Sequence, residues 1–176
     1  MKKFLSIAIL VIFFSVHLFM EGRFLENQPE IFGGGVVTQI GLVVKDIERT
    51  SKAYADFLGV DVPEWFLTDT VDKAHTIYKD KLTEARAKLA FFRLKNLTIE
   101  LIEPVGGPST WQEFLDTHGE GIHHIAFEIK GMDEKIIQLQ RKGMTLLQKG
   151  DYEGGRYSYV DSLQQLGVLL ELLENF

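Results

Sequence analysis

Two stretches of the chain repeat one pattern of apolar and polar positions. The segment "VVTQIGLVV", from Val36, is β-branched and apolar, as a strand requires. Asp46 then offers a helix N-cap, Ile47, Tyr54, Phe57 and Leu58 make an apolar stripe, and Gly59 supplies the stop. The segment "GIHHIAFEIKGMDEKIIQLQRKGM", from Gly121, again predicts an apolar strand and a short helix, with Met132, Ile136 and Leu139 on one face and Gly143 as its end. After the first unit come "PEWFLT", "AKLAFFRL" and "LTIELIEP", the last two joined at Lys95 and Asn96; after the second come "MTLLQ", "RYSYVD" and "GVLLELLE". Each half therefore predicts a β-α-β-β-β unit, over about 36–105 and 121–175. Ser109 and Gln112 form a capping pair that starts a connecting helix, "TWQEFLDTHG". The expected fold is α+β, with two tandem βαβββ modules sharing one curved mixed sheet.

Alternation along the strands assigns faces, because residues two apart share one. Ile40, Leu42 and Val44 form the face that meets the helix, as do Ile125, Phe127 and Ile129 in the matching strand. Gln39 and His124 then point the other way, each beside a small residue, Gly41 or Ala126. On the closing strands Glu100 and Glu171 alternate with Ile99, Leu101, Leu170 and Leu172, so they also leave the helix-packed side. A carboxylate among leucines is costly to bury without a partner. Singly, such residues are usually solvated. Their recurrence at equivalent places in both halves instead brings an amide, an imidazole and two carboxylates to one concave face, a donor set suited to a divalent metal ion. By the same alternation His123 falls on the core face, and Glu103 and Glu174 are expected to be solvated. His75 and His118 are assigned to a loop and a helix end. The glycine-bearing segment "KGDYEGGRYSYVD" reads either as a lid over the concave face or as a plain hairpin.

Composition narrows the partners. At 176 residues and 45% hydrophobic content the chain can bury one good core, and a net charge of -6 with no basic cluster excludes general attraction to nucleic acid. With no cysteine, disulfides and thiolate metal sites are excluded. Lys2 and Lys3 precede the apolar run "FLSIAILVIFFSVHLFM", so residues 1–20 are expected to be an export signal or an uncleaved anchor, and residues 21–35, with Pro29 and three glycines, a linker to a domain at 36–176. The expected location is outside the cytoplasm, periplasmic, secreted or membrane-anchored. Translation from Met20 would instead give a cytoplasmic protein.

The stretches "IGLVVKDIERTSKAYADFLGV", "IELIEP", "GIHHIAFEI", "GGRYSYVD" and "GVLLELLE" together resemble the vicinal oxygen chelate superfamily, which includes glyoxalase I, methylmalonyl-CoA epimerase, extradiol dioxygenases and bleomycin resistance proteins. The resemblance implies that Gln39, Glu100, His124 and Glu171 are metal ligands, as in the zinc-type glyoxalase I, and that Glu171 is also the catalytic base. Zinc is the leading ion, with nickel, cobalt and manganese as alternatives. The implied activity is that of a metal-dependent lyase or isomerase moving a proton next to a carbonyl on a small substrate. The alternatives are a methylmalonyl-CoA epimerase-like enzyme or a binding protein of the bleomycin-resistance kind. Val43 stands where a glutathione-binding arginine occurs in that glyoxalase, and Pro104 where it has an asparagine, which argues against glutathione. "AKLAFFRL" lacks the second acid of the epimerases. A site within one chain and a site shared across a homodimer both fit the repeat.

Overall fold

In the computed structural model, which describes residues 31–32 and 35–176, the repeat becomes a single curled sheet. The expected signal at 1–20 and most of the linker at 21–35 lie outside the described residues. The elements run β1 (Val37–Val43), α1 (Ile47–Leu58), β2 (Phe66–Leu67), α2 (Val71–Ala74), β3 (Ile77–Tyr78), β4 (Lys81–Leu82), β5 (Arg86–Arg93), β6 (Thr98–Val105), α3 (Thr110–His118), β7 (Gly121–Glu128), α4 (Met132–Arg141), β8 (Thr145–Tyr152), β9 (Gly155–Asp161), α5 (Leu163–Leu166) and β10 (Leu169–Asn175). Strand order across the sheet is β2-β5-β6-β1-β7-β10-β9-β8-β3-β4. The two first strands, β1 and β7, meet antiparallel at the centre, and each lies parallel to its module's closing strand, β6 or β10. Among the described residues no helix is long and apolar enough to cross a membrane.

The helices pack where the alternation places them. Asp46 accepts a hydrogen bond from Arg49 N at 2.9 Å, and Gly59 ends α1 in the left-handed region at φ 68°. The convex core of the first module gathers Val44, Ile47, Ala55, Ala90, Phe92 and Leu101. Phe57 is a correction: it is 84% exposed, because the buried stripe runs through Ile47, Ser51 and Ala55 with Tyr54 and Leu58 beside it. In the second module Met132, Ile136 and Leu139 are buried as expected, with α4 against β8 and β10.

Three features were not anticipated. The "PEWFLT" strand shrinks to two residues, and the chain then leaves β2 at one edge of the sheet to form β3 against β8 at the opposite edge, pairing Ile77 with Lys149. The first module thus adds strands to the second module's free edge, which covers it. Second, the concave side is partly filled: Trp111, with Phe114 and Leu115 beside it, packs on Val43, Ala87, Ile102 and Tyr159. Third, Glu103 and Glu174 are not solvated. Glu103 accepts from Ile47 N at 2.8 Å and Lys88 Nζ at 2.7 Å, and Glu174 from Gly131 N at 2.5 Å and from Arg156 Nη2 at 2.7 Å. Opposite parity takes them to the convex side, where unpaired amides at the helix starts need acceptors. The "KGDYEGGRYSYVD" segment forms a hairpin, turning at Glu153 and Gly154 with Gly154 at φ 81°, and its Asp151, Tyr152 and Glu153 line the cavity on the concave side.

Candidate metal centre

The central strand register builds the site. Gly41 on β1 lies between Glu100 on β6 and His124 on β7, and Ala126 on β7 lies between Gln39 on β1 and Glu171 on β10. The two triplets are related by a quasi-twofold axis between β1 and β7. His124 Nε2 stands 3.3 Å from Glu100 Oε2 and 3.1 Å from Glu171 Oε2. One potential ligand atom from each of Glu100, His124 and Glu171 lies within 4.8 Å of the others. All three are buried, at 5%, 0% and 3% exposure. Gln39 is half-buried and lines the same cavity, about 720 Å³ in volume. These side chains gather from both modules of one chain, so an exchange of halves between two chains is not needed to bring them together.

These residues fit a cation. Glu100 Oε2, His124 Nε2 and Glu171 Oε2 are each buried with no hydrogen-bond partner, although they converge on one place. Buried polar atoms are ordinarily paired, so three orphans aimed at one point call for a charge between them. Gly41 makes the room: a methyl group there would overlap Cε1, Nε2 and Nδ1 of the His124 ring. Burial alone would lower the imidazole of His124, but the Glu171 and Glu100 carboxylates outweigh it and hold its pKa up at about 10. Burial, with Glu171 adding to it and His124 opposing, raises the carboxyl of Glu100.

His123 is the residue that strand alternation misplaced. Gly41 pairs with His124 but Leu42 pairs with Ile122, so His123 is the extra residue of a β-bulge; Thr38, the equivalent residue before Gln39, is bulged in the same way against β7. The bulge turns His123 to the concave side. There it is 1% exposed, its ring at right angles to Phe114 and Tyr159, with Nδ1 3.1 Å from His124 Nδ1. Burial and then the charge of His124 push its pKa well down. Tyr159 was also missed. Its ring centroid is 5.0 Å from that of His124, and its hydroxyl accepts from Trp111 Nε1 at 3.1 Å. The aromatic "RYSYVD" signalled a strand, and only the closing of the sheet shows which of its rings reach the site. His75 pairs with Asp151 at 2.9 Å and His118 stacks on Phe114, so neither joins the cluster.

Residues 38–160 match the Glyoxalase/Bleomycin resistance protein/Dioxygenase superfamily. An uncharacterized protein, YqjC, of Bacillus subtilis is 26% identical over 138 residues, covering 77% of this chain and 89% of that protein. The mitochondrial methylmalonyl-CoA epimerase of Mus musculus is 26% identical over 123 residues, 69% of this chain and 61% of the epimerase, so this chain spans less than two thirds of that relative. The crystal structure of methylmalonyl-CoA epimerase from Mycobacterium tuberculosis superposes with a TM-score of 0.55 at 23% identity, covering 82% of this chain and 92% of that one, a likeness of fold. The paired modules, the curled sheet and the buried Glu-His-Glu cluster on its concave side accord with that match, and the chain belongs to the Glyoxalase/Bleomycin resistance protein/Dioxygenase superfamily.

Proposed function

We propose that this chain is a metal-dependent lyase or isomerase that moves a proton on the carbon beside a carbonyl group. The observation that carries the reading is the convergence of three unpartnered buried atoms, Glu100 Oε2, His124 Nε2 and Glu171 Oε2, beside a cavity that both glutamates line. Glu100, His124 and Glu171 would hold a divalent ion, with Gln39 as a fourth donor beside them. Such an ion supplies Lewis acidity to a carbonyl oxygen. Zinc heads the ions that suit this oxygen and nitrogen set, followed by nickel, cobalt and manganese. Glu171 is the base: its carboxylate takes the proton from the substrate carbon and returns it there or to the neighbouring atom. Glu100, its counterpart across the quasi-twofold, stands on the other flank of His124. That placement offers a second carboxylate to the opposite face of a substrate, which the missing acid in "AKLAFFRL" had argued against.

The mouse epimerase supports an acyl thioester as the compound whose carbon is deprotonated. The cavity argues for a lightly charged one, since its exposed lining carries the carboxylates of Asp69, Glu128, Asp151 and Glu153 against the single guanidinium of Arg93. A polyanionic carrier would meet like charge there. The basic and apolar N-terminal run supports export as the location of this chemistry, testable by fractionating cells that make a tagged chain.

Metal analysis of protein purified without added metal should find about one divalent ion per chain. In deuterated water, NMR should show enzyme-dependent exchange beside the carbonyl of a simple 2-substituted thioester or a 2-oxoaldehyde thiol adduct. Glu171→Gln should lower that rate by about 10²- to 10⁴-fold while retaining metal better than His124→Ala. If no carbonyl compound exchanges and ligand binding survives removal of metal, the chain is a binding protein instead.

A further inference from the structure

We infer that His123 is a positioning residue that fixes the tautomer and tilt of His124, by accepting a hydrogen bond from His124 Nδ1 on its own Nδ1. The inference rests on the metal site proposed above. The two Nδ1 atoms are 3.1 Å apart, and both rings are buried. A hydrogen bond between two facing Nδ1 atoms needs a proton on one of them and a bare lone pair on the other. The other nitrogen of His124 decides which. Nε2 faces Glu100 and Glu171 and can hold a cation only through its lone pair, so the His124 proton belongs on Nδ1. His123 Nδ1 is then the acceptor, and its proton sits on Nε2.

The backbone is built for this contact. Neighbouring residues of a regular strand point to opposite faces, and two adjacent histidines touch on one face here because the bulge inserts His123 opposite the Gly41–Leu42 step. Phe114 from α3 and Tyr159 from β9 then hold the His123 ring edge-on, at centroid distances of 5.4 and 5.1 Å. Their contact leaves the ring little freedom to flip. The His124 ring is thereby held over Gly41, where its Nε2 reaches both glutamates. At the equivalent place in the first module Thr38 gives its hydroxyl to the Ala126 carbonyl at 3.2 Å and has no such part in the site.

Nitrogen-15 NMR of histidine-labelled protein, with and without zinc, should show His124 protonated at Nδ1 and His123 bare at Nδ1 and protonated at Nε2. Zinc affinity, measured against a chromophoric chelator, should fall about 10- to 100-fold in His123→Phe, which keeps the aromatic packing and removes the acceptor. His123→Asn should restore most of the loss, because its Oδ1 lies the same three bonds from Cα as the Nδ1 it replaces. A proton on His123 Nδ1, or a His123→Phe variant that binds zinc as wild type does, overturns the inference. Should His123→Phe fail to fold, the wild-type spectra and the asparagine variant decide. A wild-type protein that binds no zinc or other divalent ion overturns the metal reading itself, whereas an unaffected His123→Phe overturns only the part given to His123.

Discussion

The two modules share one backbone plan and differ at the positions that matter most. Gln39 and His124 are equivalent, as are Gly41 and Ala126, Glu100 and Glu171, and Glu103 and Glu174. The glutamate pairs kept their residue type. At the other positions the residue follows from its neighbour in the opposite module. Gly41 has no side chain because the His124 ring occupies that space, while Ala126 carries its methyl fully buried beside the more slender Gln39. The caps differ for a similar reason. Asp46 caps α1 with its own carboxylate, whereas Gly131 gives α4 no side-chain cap and leaves the task to Glu174. A duplicated frame has thus been specialised residue by residue, each module limiting what the other can hold.

Substitutions at matched positions test this asymmetry. The largest difference is expected at the candidate ligands: His124→Ala should abolish measurable metal binding with the circular dichroism retained, while Gln39→Ala should weaken it, as read by metal titration. Equal losses would place the two side chains on one footing. Next comes the pair between them. Gly41→Ala should displace the His124 ring, costing about 1–3 kcal/mol of stability and metal affinity with it, whereas Ala126→Gly should cost about 0.5–1 kcal/mol in denaturant unfolding and leave metal affinity nearly unchanged.

At the helix starts, Glu174→Gln should cost about 2 kcal/mol and Glu103→Gln about 1 kcal/mol, since Glu174 holds Arg156 and two backbone amides of an otherwise uncapped helix. The Arg156 guanidinium, with the amides of Gly131 and Met132 assisting against burial, keeps the Glu174 carboxyl below its ordinary 4.5. A depressed carboxylate stabilises the fold above its unfolded value and loses that contribution as pH falls through the folded one. The gap between wild type and Glu174→Gln should therefore be full above about pH 4.5 and close below it. The smallest effect belongs to Phe57, whose ring is out in solvent: Phe57→Ser should change stability by less than about 0.5 kcal/mol.

The legible part of this molecule was whatever depends on local periodicity. Alternation in β1, β6, β7 and β10 put Gln39, Glu100, His124 and Glu171 on one side, and the structure brings the last three within contact of one another. Helical spacing found the buried face of α4 but only part of that of α1: it named Ile47 with the half-buried Tyr54 and Leu58, passed over the small residues Ser51 and Ala55, and included Phe57, which lies at the margin of the stripe where tertiary packing decides. Alternation failed where the backbone departs from it. A one-residue bulge in β7 reversed the face of His123, and nothing in "GIHHIAFEI" marks which residue is the extra one.

What lies beyond the sequence was set by long-range closure of the sheet. The crossing of residues 68–76 to the far edge, the plug formed by Trp111 and the approach of Tyr159 to His124 join residues distant along the chain, and no local pattern encodes them. Glu103 and Glu174 show the boundary most plainly. Their parity was readable and correct, but a carboxylate on the convex side is solvated or buried according to whether a helix N-terminus stands above it. By itself the sequence determined the repeat, the faces and the donor types, because these follow from side-chain direction along each element. Only the tertiary structure decided which donors meet, how far they are buried and what supports them, because those depend on how the two modules close on each other.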